Sequence, residues 1–305
     1  MTPVVATLGV FDGFHRGHRA VLARAAERAR LARARLVAFT FDAPPRAVLR
    51  GETPGLLLTS LGEKIAFLRE AEVEEARVLR FDTHLAAKSP GRFLAEHLFA
   101  FHPLAAVVVG YDFALGKGRA GSVPFLSAVG DRLGFLVEPV GAVEDGGRPI
   151  SSSRIREALA EGRVEDAARW LSRPYRVPGR VERGDGRGRT LGFPTANLRL
   201  DSSRLRPGRG VYAVRVGVAG VDGLPGVANI GERPTFGGGE ERVEVHLLVP
   251  AGDLLGRDLR VDFVARLRSE RKFKEPNELQ RQIRTDVAAA RRILHPPEDP
   301  PQAIP

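Results

Sequence analysis

The chain of 305 residues contains no cysteine, which excludes disulfide bonds and any zinc or iron–sulfur site ligated by cysteine. It also lacks an apolar run approaching the roughly 18–20 residues that span a membrane. The first residues, MTPVV, do not combine a basic region with an apolar one, so no signal peptide is expected. These absences predict a cytoplasmic protein without a membrane segment.

Lysine is scarce, because only five of the 47 basic residues are lysines. The net charge is nevertheless +10, which suits an anionic partner such as nucleic acid or a phosphate-bearing small molecule. The arginines are spread along the chain and often adjoin acidic residues, as in Arg156-Glu157. We therefore expect phosphate-bearing small molecules rather than nucleic acid as partners, and a monomer or weak homo-oligomer.

The length predicts two domains, at roughly 100–200 residues per domain. The first half alternates short apolar runs with segments of helical spacing, the pattern of a parallel sheet covered by helices on both faces. Strands are predicted at Val4–Leu8, Leu36–Phe41, Ala76–Leu79, Leu104–Val109 and Leu136–Val140. Helices are predicted at His18–Arg35, Glu63–Glu75, Pro90–Phe101, Ser151–Glu161 and Val164–Leu171. We predict a Rossmann-like α/β domain with a parallel sheet over residues 1–171.

The second half has strand-like segments separated by turns rich in glycine, proline and aspartate, the pattern of a small antiparallel β-barrel. The segments are Tyr175–Glu182, Gly210–Val218, Pro225–Ile230, Arg242–Val249 and Arg260–Leu267. A closing helix is predicted at Pro276–Leu294, with Leu279, Ile283, Val287 and Ile293 inward and Glu278, Gln282 and Arg284 on its polar side. We place the junction at residues 172–174 and the second domain at 175–296, and we predict that the proline-rich tail, 297–305, is disordered.

Between the first strand and the first helix lies the sequence GVFDGFHRGH, residues 9–18. Open α/β sheets bind ligands at this position, and a helix N-terminus offers free N–H groups to phosphate oxygens. Gly9 and Gly13 allow the backbone to approach a nucleotide closely, and Gly17 leaves room beside the helix. His15 and His18 can place two imidazoles on one phosphate and stabilise charge during adenylyl transfer. A turn without a ligand and a metal site on the two histidines are the alternatives.

The pattern GxFDGxHxGH resembles the nucleotidyltransferase signature of bacterial bifunctional riboflavin kinase/FAD synthetases. Later segments match that family in order: Thr40–Pro45, Val109–Phe113, Gly116–Gly121 and Ile150–Arg156. The resemblance implies adenylyl transfer from ATP to FMN, with His15, His18 and Arg156 as catalytic residues. It implies ATP contacts from Gly9, Phe11, Asp12, Gly13, Gly17, Ser152, Ser153 and Arg154, and flavin contacts from Asp112 and Phe113. Taken alone, residues 151–156 are equally typical of a helix cap followed by a solvated face.

A second signature lies in the barrel half, where LGFPTANL spans residues 191–198. It follows Gly179-Arg180-Val181 and a Gly/Arg loop, residues 184–189, which can close over a nucleotide. The element is similar to the riboflavin kinase signature, and the resemblance implies ATP contacts from Gly179, Gly192, Pro194, Thr195 and Asn197. The Thr195 hydroxyl and the Asn197 amide oxygen are hard ligands suited to Mg²⁺ bridging ATP phosphates. A turn rich in small polar residues is the alternative.

The segment VEVHLL, residues 243–248, resembles the kinase strand that carries the catalytic glutamate. The resemblance makes Glu244 the base that takes the proton of the riboflavin 5′-hydroxyl as that oxygen attacks the γ-phosphate. In a strand, Glu244 points away from the face of Val243 and Val245, whether toward a pocket or toward water. Residues 226–231 and 233–236 resemble the family's next loop. Residues 267–270 with Phe273 resemble its flavin segment, which implies flavin contacts from Arg268 and Glu270.

The resemblance covers about residues 3–294 and predicts phosphorylation of riboflavin to FMN by ATP, followed by adenylyl transfer from ATP to FMN, giving FAD and pyrophosphate. Val249 and Leu255 depart from the kinase pattern. In the adenylyl half, Val10 replaces a usual asparagine and Ala43-Pro44 replaces a usual Pro-His pair. These departures leave open a second interpretation, a riboflavin kinase with an inactive or regulatory nucleotidyltransferase domain. A flavin-responsive nucleic-acid binder is a third, although no nucleic-acid module is recognisable.

Overall fold

The structure is a computed structural model that describes residues 2–51, 55–99, 103–184, 188, 192–233, 240–250 and 252–295. The chain divides into two compact units, Met1–Arg154 and Ile155–Pro305, and each is described by itself. The predicted junction at 172–174 falls within the second unit, so the domain limits 1–171 and 175–296 stay a prediction. The predicted disordered tail at 297–305 lies outside the described residues. Within those residues, none of the helices combines the length and the apolarity needed to cross a bilayer.

A five-stranded sheet forms the centre of the first unit. Its strands are β1 (Val4–Leu8), β2 (Arg35–Phe41), β3 (Glu75–Leu79), β4 (Leu104–Gly110) and β7 (Leu136–Val140). They lie in the order β3-β2-β1-β4-β7, and every neighbouring pair is parallel. Two antiparallel pairs of short strands stand apart from it, β5 (Ala114–Leu115) with β6 (Gly121–Ser122) and β8 (Glu144–Asp145) with β9 (Arg148–Pro149).

Both faces of this sheet are buried, as the continuous apolar strands predict. Along β1, Val4, Ala6 and Leu8 belong to one hydrophobic cluster, whereas Val5 belongs to the other. The helices are α1 (Arg16–Ala32), α2 (Pro45–Arg50), α3 (Leu61–Glu70), α4 (Thr83–Ala87), α5 (Pro90–Phe93), α6 (Val123–Leu133) and the first residues of α7 (Ser152–Ala160). The prediction of a Rossmann-like α/β fold with a parallel sheet is confirmed.

Several predicted helices differ from the observed ones. Helix α3 ends at Glu70 rather than Glu75, because Glu72 takes a left-handed backbone (φ 63°) before the chain enters β3. The predicted helix Pro90–Phe101 is a four-residue helix followed by a π-helical turn, Leu94–Leu98. Helix α6 was not predicted, since Pro124 and Gly130 obscure its pattern. Proline is tolerated in a first helical turn, where no N–H partner is lost.

The second unit is built on a closed antiparallel barrel, which confirms the predicted architecture. Its strands are β10 (Tyr175–Glu182), β11 (Ala196–Leu200), β12 (Gly210–Val218), β13 (Val221–Arg233), β14 (Glu240–Leu247) and β15 (Asp258–Arg268). They close in the order β10-β11-β14-β13-β12-β15. Helix α8 (Val164–Leu171) precedes the barrel, and α9 (Pro276–Leu294) follows it within the limits predicted. Strand β11 was not predicted, although its apolar and polar residues alternate, because residues 196–198 were assigned to the LGFPTANL signature.

Strand β12 separates the two faces of the barrel wall. Tyr212 and Val214 point into the closed core, where the Tyr212 ring packs edge-on against Phe263. Val211 and Ala213 point outward and are buried by α9, together with Val227, Ala290 and Leu294. One part of the outer face is therefore covered by a helix.

The inward face of α9 differs from the prediction. Its buried residues are Asp286, Ala290 and Leu294, which recur every four positions and so form one stripe. Ile293, predicted to face inward, is 41% exposed, because it lies about 100° around the helix from Leu294. Gln282, predicted on the polar side, turns toward the stripe and donates to Asp286 (2.9 Å).

Candidate active sites

The loop after β1 is held to β2 and to the core. The Gly9 N–H donates to the Phe39 carbonyl (3.0 Å), and the Thr40 hydroxyl donates to the Val10 carbonyl (3.1 Å). Phe11 and Phe14 take left-handed backbones (φ 50° and 47°), each unfavourable by roughly 1–2 kcal/mol. Both phenyl rings are almost fully buried, and burial of such a ring contributes about 1.5–3 kcal/mol. Core packing therefore offsets the strain and fixes the shape of the loop.

The two histidines of this loop are stacked on each other at the start of α1. Their ring centroids are 3.7 Å apart, with 20° between the planes. His15 is the N-cap of α1, and its Nδ1 accepts a hydrogen bond from the His18 N–H (3.4 Å). A Cβ atom at Gly17 would lie 3.1 Å from the His15 ring, so this glycine makes room for a side chain of the site itself. The positive end of α1 thus carries two ordered imidazoles, a suitable surface for phosphate.

Asp12 fastens the loop to the residues before α3. It is 2% exposed, and its carboxylate accepts the N–H groups of Leu58 (3.1 Å) and Thr59 (3.0 Å) and the Thr59 hydroxyl (3.0 Å). The Gly13 N–H donates to the same Thr59 hydroxyl (3.0 Å). Sequence reasoning missed Leu58 and Thr59, which carry no motif. The predicted ATP contact of Asp12 stays a prediction beside this structural role.

The segment at the start of α7 reaches the same loop. The Ser152 hydroxyl donates to the Asp12 carbonyl (2.8 Å). Arg154 donates to the carbonyl of Arg148 (2.7 Å), and its N–H donates to the Ser151 hydroxyl (3.2 Å). Ser153 is exposed, and Arg156, which belongs to the second unit, is half-buried. The structure therefore brings Ser152 to the loop of Asp12, and the ATP contacts predicted for Ser152, Ser153 and Arg154 stay predictions.

Strand β4 lies beside β1, so the loop after β4 borders the same edge of the sheet. Asp112 is exposed there, and its carbonyl accepts a hydrogen bond from Arg119 (2.9 Å). Phe113 is partly buried against the core. The flavin contacts predicted for Asp112 and Phe113 stay predictions, at a place where the topology permits them.

Lys64 is a charged residue of this region that sequence reasoning left unassigned. It lies in α3, is 4% exposed, and its ammonium donates to the Phe41 carbonyl at the end of β2 (2.7 Å). Burial lowers the pKa of Lys64, and the negative charges of Asp12 and Asp42 oppose that shift. Asp42 accepts the N–H groups of Ala43 and Phe81 (both 2.8 Å). No sequence signal other than its rarity marks this lysine.

The barrel places three polar side chains in one row. Asn197 of β11 is directly opposite Glu244 of β14, and Glu244 is directly opposite Asn229 of β13. Paired residues share a face of the sheet, so the three side chains are neighbours. Val243 and Val245 are buried in the core, so Glu244 lies on the outer face and is half-buried there. Asn229 was not singled out from the sequence, although it falls within a matched segment.

The turn before β11 is pinned beside this row. His246, two residues after Glu244, has its Nδ1 2.8 Å from the Pro194 carbonyl oxygen, and its ring contacts Phe193 edge-on. A Cβ atom at Gly184 would clash with the Asn197 amide, and one at Gly188 would lie 3.1 Å from the Thr195 hydroxyl. The backbone thus approaches both predicted Mg²⁺ ligands closely.

The remaining residues predicted for the kinase site have different surroundings. A Cβ atom at Gly179 would lie 3.1 Å from the Arg199 carbonyl, so β10 and β11 pack closely there. Gly192 takes a left-handed backbone (φ 83°) and is exposed, as is Pro194. Residues 185–187, 189–191 and 234–236 of the predicted loops lie outside the described residues.

The predicted flavin segment is anchored to α9. The Arg268 guanidinium donates to Asp286 through Nε (3.0 Å) and Nη2 (2.9 Å), and its Nη1 donates to the Ser269 carbonyl (3.0 Å). Phe273 lies under both Arg268 (5.8 Å) and Arg271 (4.7 Å). Glu270 is exposed, and its carboxylate occupies the space that a side chain at Gly231 would need. The sequence prediction assigned Asp286 to neither the inward nor the polar side of this helix, so its contact with Arg268 was not anticipated.

Comparisons with known proteins cover both units. A family model for FAD synthetase matches residues 1–154, and one for riboflavin kinase matches residues 171–294. A bifunctional riboflavin kinase/FMN adenylyltransferase of Pseudomonas fluorescens is 41% identical over 96% of this chain and 93% of its own length. The protein of the same name from Escherichia coli is 39% identical over 95% and 92%. A Streptococcus pneumoniae crystal structure described as a macrolide-efflux protein superposes with a TM-score of 0.88 at 32% identity, covering 95% of this chain and 94% of that one.

Proposed function

Because this chain belongs to the family of bifunctional riboflavin kinase/FMN adenylyltransferases, we propose that its two sites divide the synthesis of FAD between them. The chain phosphorylates riboflavin to FMN with ATP and transfers AMP from ATP to FMN, giving FAD and pyrophosphate. The assignment of residues rests on two separate groups of polar side chains, one in each unit. These are the stacked His15–His18 pair on α1 and the Asn197–Glu244–Asn229 row on the barrel. The alternative of an inactive adenylyl half finds no support in the comparisons.

In the adenylyl site, an oxygen of the FMN phosphate attacks the α-phosphorus of ATP, and pyrophosphate leaves. The difficulty is the negative charge on the phosphorus centre and the leaving group, so positioned donors contribute most. We assign that role to His15, His18 and Arg156, together with the N–H groups at the start of α1. The fixed position of the His15 ring supports the assignment. The ring is held by the N-cap hydrogen bond from the His18 N–H, and the absence of a side chain at Gly17 leaves the space that it occupies. The loops after β1 and β4 would hold ATP and flavin, respectively.

In the kinase site, the riboflavin 5′-hydroxyl transfers its proton to Glu244 as its oxygen attacks the γ-phosphorus, and ADP leaves. The half-buried position of Glu244 between two asparagines supports this assignment, because the carboxylate is restrained beside donors. Gly192 and Pro194 would shape the ATP wall, and Arg268 and Glu270 the flavin side. The position of Arg268 is set by Asp286.

The residues before and within β11 fit a Mg²⁺ ion. Asn197 Oδ1 is buried and has no hydrogen-bond partner among the described residues, which is unfavourable unless a ligand satisfies it. Thr195, two residues earlier, offers a second hard oxygen. We propose that these two side chains hold the ion. When bound, the ion would supply positive charge that offsets the negative charge of the ATP phosphates.

The test is chromatographic separation of riboflavin, FMN and FAD after incubation with ATP and Mg²⁺. Glu244→Gln should lower riboflavin phosphorylation about 100-fold or more, the usual contribution of a general base, while FMN is still converted to FAD. His18→Asn should give the opposite pattern. Arg284→Gln and His84→Asn change exposed residues of the second and the first unit and should leave both steps intact. Loss of both steps in Glu244→Gln would contradict the division of labour.

We also propose that the enzyme acts in the cytoplasm, where ATP is supplied, as a monomer or weak homo-oligomer. Light scattering during size-exclusion chromatography tests the second point. A stable oligomer that persists on dilution would contradict it.

A further inference from the structure

Lys64 is a buried cation that the proposed mechanism does not use. Lysine is seldom fully buried unless its ammonium is paired, because the charged form loses its hydration. Here the ammonium is directed at the Phe41 carbonyl (2.7 Å), with the carboxylates of Asp12 and Asp42 as the nearest stabilising charges. The side chain is 4% exposed and its ammonium is turned to the Phe41 carbonyl, so the structure gives it a backbone partner rather than an open face toward a substrate. Any role in the reaction must therefore be exerted through the residues that it holds.

The residue that Lys64 holds is the last of β2. Beyond Phe41 the chain turns through Asp42 and reaches α2 at Pro45. The turn is shaped by Asp42 itself, which accepts the N–H groups of Ala43 and Phe81. The Asp42 carboxylate fixes the backbone conformation of the turn. The Lys64 hydrogen bond fixes the position of Phe41, where the turn begins, relative to α3.

The same end of α3 also holds the loop after β1. Ser60 and Glu63 form a reciprocal capping box that fixes the first turn of α3. Immediately before it, Leu58 and Thr59 bind the Asp12 carboxylate. One rigid segment thus contacts the loops after two neighbouring parallel strands, at the carboxyl edge where open α/β sheets bind ligands.

We propose that Lys64 is a positioning residue for adenylyl transfer, which keeps the loop after β2 in register with the histidine-bearing loop after β1. The inference rests on the proposed adenylyl site. The two loops differ in how they depend on Lys64. The loop after β1 is held through Asp12, whose carboxylate accepts three hydrogen bonds from Leu58 and Thr59. The contact of α3 with the end of β2 is the hydrogen bond from the Lys64 ammonium to the Phe41 carbonyl. Removal of the ammonium should therefore displace the loop after β2 more than the loop after β1.

The test uses the full chain, because the kinase site in the second unit serves as an internal control. Lys64→Met should lower kcat for FAD formation from FMN about 100-fold, the usual effect of misplacing a site by about an ångström. The KM for FMN should rise, because the family resemblance places the loop after β2 on the flavin side. The KM for ATP should stay within about twofold, because Asp12 keeps its donors from Leu58 and Thr59. Riboflavin phosphorylation should be unchanged, because its proposed site lies in the second unit. Lys64→Arg, which restores the cation and a donor, should recover most of the lost rate.

Lys88→Met is the matched control, since it removes a lysine of the first unit that is paired with Glu96 and far from these loops in sequence. Urea denaturation of each variant first establishes that it is folded, and all assays are run at urea concentrations far below its unfolding midpoint. The inference is overturned if Lys64→Met forms FAD normally while His18→Asn does not. It is equally overturned if the KM for ATP rises with that for FMN, which is the sign of general loosening. If His18→Asn also forms FAD normally, the proposed site itself has failed.

Discussion

Asp286 of α9 holds the Arg268 guanidinium of β15 through two of its nitrogen atoms, and both side chains are largely buried. Removing one partner of a buried pair leaves the other charge uncompensated. Asp286→Ala should therefore lower the free energy of unfolding of the second unit by about 3 kcal/mol. It should also raise the KM for riboflavin, because residues 268–273 lose their anchor. Urea denaturation and steady-state kinetics measure the two effects.

Thr285→Ala is the control for Asp286→Ala, since it removes an exposed hydroxyl that donates only to Arg281 (3.2 Å) of the same helix. Its effect on unfolding should stay within about 0.5 kcal/mol. An unchanged KM for riboflavin in a folded Asp286→Ala enzyme would show that Arg268 does not position the flavin segment.

Gly17→Ala separates stability from adenylyl transfer. Alanine is favoured over glycine in a helix by about 1 kcal/mol, so the first unit should not be destabilised. Its Cβ would lie 3.1 Å from His15, and the ring must shift by a few tenths of an ångström. We expect FAD formation to fall about tenfold, measured with FMN as substrate. Gly62→Ala is the control at the same position of α3, where the nearest atom is 4.0 Å away; equal activity in the two variants would refute the argument.

His246→Phe keeps an aromatic ring against Phe193 but removes the nitrogen that faces the Pro194 carbonyl. Loss of one hydrogen bond should slow riboflavin phosphorylation about tenfold. The half-saturating Mg²⁺ concentration should rise, because Thr195 follows directly on the released turn. Conversion of FMN to FAD in the same tube is the reference. A slower reaction with unchanged Mg²⁺ dependence would assign His246 a different role.

Tyr212 gives the second unit a sensitivity to alkaline pH. Burial raises the pKa of its hydroxyl to about 12, and the hydroxyl donates to the Gly208 carbonyl. The unfolded chain releases this proton near pH 10, so the contribution to stability is complete below pH 10 and is lost as the pH rises toward 12. A shift of this size corresponds to about 3 kcal/mol at most. Urea midpoints of the wild type should fall more steeply over this range than those of Tyr212→Phe; parallel curves would contradict the prediction.

The architecture of both units could be predicted from the sequence because it depends on periodicity. Continuous apolar strands between helical segments indicated the parallel sheet, and strand-like segments separated by turns rich in glycine, proline and aspartate indicated the barrel. Helix ends were less predictable, since they depend on single backbone conformations such as that of Glu72. Helix α6 was hidden by Pro124 and Gly130, which are unfavourable within a helix and are tolerated here by position and packing.

The proximity of side chains was predictable where a motif fixes several residues together, as with His15 and His18, whose catalytic role stays a prediction. It was not predictable where one residue acts on a distant backbone group. Thr59 reaches Asp12 across 47 positions, and Lys64 reaches Phe41 across 23. Such contacts depend on tertiary structure, which a pattern of residue types does not encode. Asp286 escaped notice for the same reason, because its partner Arg268 lies on another element.

The strand pairing that sets Asn197 opposite Glu244 also sets the valines beside Glu244 into the barrel core. Side chains alternate along a strand, so a slip of one residue in β14 would turn Glu244 inward and expose Val243 and Val245. An insertion or deletion of a single codon within β14 would therefore disrupt both the core and the Asn197–Glu244–Asn229 row. A point substitution at Glu244 can remove its carboxylate while the barrel stays folded. A one-residue change in the register of β14 cannot, because it also removes Val243 and Val245 from the core.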